Sequence, residues 1–315
     1  MSEPEALIEF VRGLPEGTKC VGLEAGPLSQ WLYKDLTGAG IVAALMETRQ
    51  VKGALKAMPI KTDRRDAQGI AQLLRMGWFR PVHCKSVSAQ ETRALLSGRK
   101  ALQNAMLDLE NAMRGVLRNF GLKVGQVSKG RFEARIRELA AGNPMLEVTI
   151  GGMLRARAAL RAELVVLDKK LRDLAREDET ARLMMTVPGV GAPVALTVKA
   201  GIDDPCRFKS SRMVGPHFGL TPSRNQSGEK DVAGGITRAG DASVRTALYE
   251  AASVMMFRSQ KYSWLKAWGL RVAARRGMKR ALIAVARRLG VVLHRMWVDG
   301  TAFRFSLMDA GAPAT

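Results

Sequence analysis

The chain has 315 residues, 47% of them hydrophobic and 25% charged, with 50 Lys and Arg against 29 Asp and Glu and a net charge of +21. That composition excludes a disordered tail and leaves room for two or three domains with well-buried cores. The basic surplus calls for a polyanionic partner, nucleic acid before an anionic membrane, and no apolar run approaches the roughly 20 residues that cross a bilayer.

In chain order, residues 4–14 read as a short amphipathic helix. In KCVGLEAG, residues 20–23 form an apolar run that stops at Glu24 and a glycine, the pattern of a buried strand ending in a loop. LSQWLYKDLTGAG predicts a helix closed by glycine, and IVAALM (41–46) a second buried strand. KGALKAMP reads as a loop entering the helix of KTDRRDAQGIAQLLRMG, with Asp63 near its N-cap and Ile70, Leu73 and Leu74 as its apolar stripe. WFRPVHC closes this region as a further strand. Strand, helix, strand, helix predicts a parallel α/β sheet over residues 1–86.

From residue 87 the texture changes. Leu95, Leu102, Met106, Leu109, Met113 and Leu117 recur at heptad-like spacing, as do Leu146, Ile150, Met153, Leu160, Leu164, Leu167, Leu171 and Leu174. Two long helices joined by a basic, glycine-containing connector predict an antiparallel coiled-coil arm over 87–176, with a compact bundle as the alternative. Residues 177–315 are expected to be mainly helical. TARLMMTVPGVGAPVALTVKAGI reads as a helix-hairpin-helix, whose turn at Gly189 and Gly191 would offer backbone N–H groups to a phosphate; an ordinary αα-turn has the same outline. A glycine- and serine-rich basic stretch follows, then a helix from about residue 242. The tail RVAARRGMKRALIAVARRLGVVLHRMW reads as one helix with seven basic and no acidic residues between 271 and 288. Arg275, Arg276, Lys279 and Arg280 are its candidate phosphate contacts.

Two constellations carry candidate chemistry. Glu24 ends a strand, and Asp63 and Asp66 face one side of a helix's first turn. Oxygen donors without His or Cys select Mg²⁺ or Mn²⁺, and a divalent ion in a basic protein points to phosphoryl transfer. Helix capping and dipole pairing also account for the aspartates. Ser227, in NQSGEKD, lies in a glycine-flanked loop near Arg224, Lys230 and Arg238, with Arg245 beyond them, donors that could hold a phosphate beside a hydroxyl. Cys20, Cys84 and Cys206 are scattered, as are the three histidines, so no zinc spacing exists. His83 beside Cys84 reads either as a metal pair or as the edge of a strand leaving the domain. The acidic first residues are not a secretion signal, and an odd count of scattered cysteines fits a reducing cytoplasm.

Taken in order, GLEAGPLSQWL, KTDRRDA, VPGVG, GLTPSRNQSG and GITRAGDASVRTALYEAA resemble the DEDD-type transposases of the insertion sequence 110 family, also described as RNA-guided bridge recombinases. The resemblance covers nearly the whole chain. It implies a RuvC-like (RNase H-type) domain, a coiled-coil arm and a serine transposase domain. It also implies divalent metal held by four acids, of which Glu24, Asp63 and Asp66 match three, and a nucleophile at Ser227 that becomes covalently linked to DNA. Donor and target DNA, a structured noncoding guide RNA and a homo-oligomer between dimer and tetramer are the implied partners. The family's first acid lies on an opening strand upstream of the glutamate, and no aspartate precedes Glu24. The expectation is therefore an N-terminally shortened, incomplete RuvC-like sheet with an open edge. A metal-dependent junction nuclease without a serine step, or a nucleic-acid-binding remnant, are the alternatives.

Overall fold

The computed structural model describes residues 3–15, 20–56 and 60–306, and the chain divides into two compact units, residues 1–86 and 87–315. In the first unit, α1 (Pro4–Arg12) precedes β1 (Val21–Glu24), α2 (Ser29–Gly38), β2 (Ala43–Met46), α3 (Thr48–Leu55) and α4 (Asp63–Arg75). The strands are parallel, with Val21 opposite Ala43 and Glu24 opposite Met46, so the α/β pattern predicted for this region is present. β1 is half-buried along its whole length rather than buried. Met46, Val51 and Leu73 form the centre of this unit's core, joined by Leu55, Ile70, Leu74 and Phe79.

Two expectations here need correction. KGALKAMP is not a loop throughout: its first four residues finish α3, while 57–59 lie outside the described residues. WFRPVHC is not a strand either. It meets β2 through a single antiparallel bridge, Met46 to Pro81, with the Val82 N–H donating to Leu45 and the Glu47 N–H to Arg80. Pro81 has no N–H to donate, which discourages a longer ladder.

The second unit opens with α5 (Val87–Asn119) and α7 (Pro144–Glu177), each about 50 Å long. Arg99 pairs with Asp168, and Arg157 with Glu110 at 2.7 Å; advancing along α5 means retreating along α7, so the helices run antiparallel. The connector between them is not simply a loop. Phe132, Ile136 and Ala140 fall on one face of a short helix, α6 (Phe132–Ala140), and bury against Met113, Leu117, Ile150 and Leu154 as a separate core. Arg157 occupies a seam position where the pattern predicts an apolar residue. It is 5% exposed, and its guanidinium stands 4.9 Å over the Phe132 ring.

Beyond this pair come α8 (Glu179–Met185), α9 (Ala192–Ile202), α10 (Val214–His217), α11 (Ala242–Phe257), α12 (Trp264–Arg276) and α13 (Met278–Asp299). They share one large core in which Leu171, Val198, Val244, Leu248, Val285 and Leu289 are almost fully buried. The basic tail is two helices rather than one. Gly277, at φ +80°, stops α12 and begins α13. A hairpin, β3 (Pro222–Ser227) and β4 (Lys230–Ile236), interrupts the helices between α10 and α11. Among the described residues no helix is long and apolar enough to cross a membrane.

Gly189, in the turn between α8 and α9, sits at φ +89°, and a Cβ there would collide with the Ala251 carbonyl oxygen and crowd the Met255 N–H of α11. Gly189→Ala is therefore expected to lower stability by about 1–3 kcal/mol, from the left-handed backbone and the overlap. A thermal melt without nucleic acid measures that loss.

His294 of α13 is 2% exposed. Its Nε2–H donates to the Pro205 carbonyl at 3.1 Å, and its Nδ1 lies 2.9 Å from the Ser211 hydroxyl, which donates to it when the ring is neutral. Burial holds its pKa below the ordinary 6.5, with Arg295 acting in the same direction. As pH falls, the unfolded chain takes up this proton first, so the stability His294 contributes is present above about pH 6.5 and lost below it. His294→Gln should cost about 1–3 kcal/mol at neutral pH, and its difference from wild type in melting temperature should narrow toward about pH 5.

Candidate functional site

The first group of candidates lies in the α/β unit. Glu24 is the last residue of β1, at the carboxyl end of the sheet, and is half-buried. The cap of α4 is Thr62 and not Asp63: Thr62 has extended backbone, and its hydroxyl accepts from the Arg65 N–H at 3.3 Å. Asp63 and Asp66 thus both lie inside the first turn, where carboxylates complement the positive end of the helix. Asp63 is exposed; Asp66 is half-buried with the Lys61 ammonium 3.9 Å away. Glu47, at the exit of β2, is a carboxylate that the sequence pattern does not single out, and it lies 3.7 Å from Arg80.

The carboxylates of Glu24, Glu47, Asp63 and Asp66 offer the hard oxygen donors that Mg²⁺ and Mn²⁺ prefer. Among the described residues, however, no group of three or more His, Cys, Asp or Glu stands close enough to hold a metal ion. Glu24, Asp63 and Asp66 share one unit without being gathered around one point, so the donor chemistry fits a divalent ion and the described geometry does not.

Ser227 is the last residue of β3 rather than part of a loop. It pairs with Lys230 across a two-residue turn made by Gly228 and Glu229. Gly228 has φ +56°, while Glu229 is not left-handed, the combination of a type II′ hairpin turn. Both strands are exposed, apart from a half-buried Ile236. Their polar residues show no alternation, which is why the hairpin is silent in the hydrophobic pattern; its one signal is a glycine opening a two-residue turn.

The bases around Ser227 have different commitments. Arg224 forms a two-pronged pair with Asp231, Nε to Oδ1 at 2.8 Å and Nη2 to Oδ2 at 2.6 Å. This bond raises the guanidinium pKa and lowers that of the carboxyl. Arg238 adopts φ +55° at the hairpin's outgoing foot, its N–H donating to the Gly219 carbonyl. The Arg245 Nη1 lies within hydrogen-bonding distance of the Phe218, Ala239 and Gly240 carbonyls.

The α8–α9 turn presents Gly191 to solvent as the cap of α9, whereas Gly189 is packed against α11. At the α12–α13 corner, Arg275 and Arg276 end one helix, and Lys279 and Arg280 begin the next, all four exposed. Cations at the start of α13 oppose its dipole, and no acid in that turn offsets them, so the corner favours an anion. Arg288, from the same basic run, is instead held over the rings of Trp264 and Trp268, 5.0 and 4.6 Å from their centroids.

Residues 181–269 match the family described as Transposase IS116/IS110/IS902, and residues 4–121 match the DEDD transposase of IS110 elements. The transposase of insertion sequence element IS1111A from Coxiella burnetii is 33% identical over 298 residues, which span 90% of this chain and 79% of that one. A probable family 20 transposase from Pseudomonas aeruginosa is 26% identical over 302 residues, 94% of this chain and 88% of that protein. The transposase of IS1328 from Yersinia enterocolitica is 24% identical over 285 residues, 90% and 85% of the two chains. With both of its units carrying a family match and one relative a third identical across nearly all of its length, this chain belongs to the IS110/IS116 family of transposases, enzymes that cut and join DNA.

Proposed function

We propose that this transposase breaks and rejoins DNA through Ser227, with a structured RNA choosing donor and target DNA and with the chain acting as a homo-oligomer. The observation that carries the reading is the place of Ser227, exposed at the end of a projecting hairpin beside Lys230 in a chain of net charge +21. In the first step the Ser227 Oγ attacks phosphorus. The Oγ–P bond forms as a P–O bond to deoxyribose breaks, the serine loses its proton and the departing oxygen gains one. No oxidant is needed, and the energy of the broken ester is kept in the phosphoserine for rejoining. Cationic donors near the phosphoryl oxygens stabilise the charge that develops on them.

Lys230, the cross-strand partner of Ser227, is the donor on the serine's own face of the hairpin, and Arg224 on the opposite face, with Gly191, Arg275, Arg276, Lys279 and Arg280, would carry more distant phosphates. Glu24, Asp63 and Asp66 are the oxygen donors for Mg²⁺ or Mn²⁺ in this reading. Because they are not gathered around one point, the serine step as described rests on the hairpin's own groups.

Arg224 is already bonded to Asp231, so an incoming phosphate has to share or displace that carboxylate. Asp231→Asn is expected to raise DNA affinity and to steepen the dependence of log K on log salt by about 0.9, the effect of one added phosphate contact. A salt titration of binding to a short duplex measures both.

The central test offers the chain DNA bearing the ends of its insertion sequence, with RNA transcribed from the noncoding flank, and looks for a protein–DNA adduct that survives denaturation. The adduct should form with wild type and vanish in Ser227→Ala. Its persistence in that variant would remove the serine from the mechanism. Cleavage that survives Ser227→Ala and is lost in Asp63→Ala would instead mark hydrolysis by water, and binding without cleavage under any metal would mark a non-catalytic binder.

A further inference from the structure

The serine hairpin has almost no core of its own, and two strands alone are marginally stable in water. Its direction must therefore be set at its feet, residues 217–221 and 237–241. There the Thr237 N–H donates to the Thr221 carbonyl at 2.9 Å and the Arg238 N–H to the Gly219 carbonyl at 3.1 Å. Gly219 and Gly240 are both left-handed, and a Cβ on either would collide with backbone of the opposite foot, at Ala239 and His217 respectively. The feet are thus pressed backbone to backbone.

One side chain bridges both. The Arg245 Nη1 reaches the Phe218 carbonyl of the incoming foot at 3.3 Å and the Ala239 and Gly240 carbonyls of the outgoing foot at 2.6 and 3.0 Å. Arg245 sits in the first turns of α11, whose neighbours Val244 and Leu248 are fully buried, so its own position is firm. The helix start is held as well: Asp241 accepts from the Ser243 N–H and pairs with Arg93 of α5. Burial works against that carboxylate, but the bond and charge of Arg93 and the N–H groups of Ser243 and Val244 hold its pKa below the ordinary value.

The geometry points to Arg245 as a positioning residue for Ser227, a staple between the hairpin's feet and α11, rather than as a contact to nucleic acid. The inference rests on the serine reading proposed above. Leverage supplies the reason: a six-residue strand is about 17–20 Å long, so a rotation of about 10° at the feet moves the tip by about 3 Å. An error of about 1 Å in a reacting group already costs rate, and binding along the rest of the nucleic acid is indifferent to it.

The test uses full-length Arg245→Met and Arg245→Lys beside wild type and Ser227→Ala, with three readouts: the single-turnover rate of adduct formation, affinity for the same DNA with its salt slope, and hydrogen exchange at the Thr237 and Arg238 amides. Arg245→Met is expected to slow adduct formation at least tenfold, to change affinity less than threefold with an unaltered salt slope, and to speed exchange at both amides. Arg245→Lys, which keeps the charge and can still donate, should recover most of the rate. If affinity falls in step with rate and the slope becomes shallower by about one, Arg245 is a phosphate contact and the inference is overturned. It is equally overturned if Arg245→Met forms adduct at the wild-type rate. If wild type forms no serine-dependent adduct, the serine reading itself has failed; the exchange measurement then judges the staple alone, and unaltered exchange removes it.

Discussion

The buried face of α11 is the surface on which the second unit is assembled. Val244, Leu248, Ala251, Ala252 and Met255 lie on it with virtually no exposure, enclosed by apolar side chains of α9 and α13. Burying such a face is the main source of stability for a helix in a globular protein. Several other features depend on its being immobile. The α8–α9 turn fits only because Gly189 lets the chain approach the α11 backbone at Ala251. The hairpin that bears Ser227 takes its direction from Arg245, one turn into the same helix, and the cap at Asp241 ties that helix to α5 through Arg93. A helix that moved would carry the serine with it.

The charge of +21 divides into two populations that composition cannot separate. Arg93, Arg99 and Arg157 are paired with carboxylates, Arg245 with carbonyls and Arg288 with indole faces. These bases hold the protein together. Arg275, Arg276, Lys279 and Arg280 are exposed on two helix ends without a neighbouring acid, the arrangement suited to a polyanion. Arg224 stands between the two groups, exposed yet bound to Asp231, so its availability depends on what competes for it.

Much of the architecture is legible in the chain. The parallel strands around Leu23 and Leu45, the two long helices, the paired helices around PGVG and the helix after Asp241 all announce themselves by periodicity or by glycine, because a buried face repeats with the period of its element. The family is legible too, since its motifs are short and occur in order. The failures share a cause. The β3–β4 hairpin, exposed on both faces, repeats nothing apolar. The break at Gly277 is a single residue within an otherwise continuous basic helical pattern. Pro81 lacks the N–H that a longer ladder at WFRPVHC needs, a local defect that an apolar pattern does not register.

Local chemistry along the chain is sufficient to place carboxylates at the end of β1 and the start of α4, a serine beside a glycine turn, and an excess of base in a transposase. Which partner each charged group meets is another matter, because those partners are distant in sequence: Arg93 with Asp241, Arg99 with Asp168, Arg245 with Phe218. Periodicity records that a face is buried and is silent about what covers it. Only packing of the helices against one another makes Gly189 a contact to α11, turns Arg245 toward the feet of the hairpin, and leaves Glu24, Asp63 and Asp66 in one unit without drawing them together.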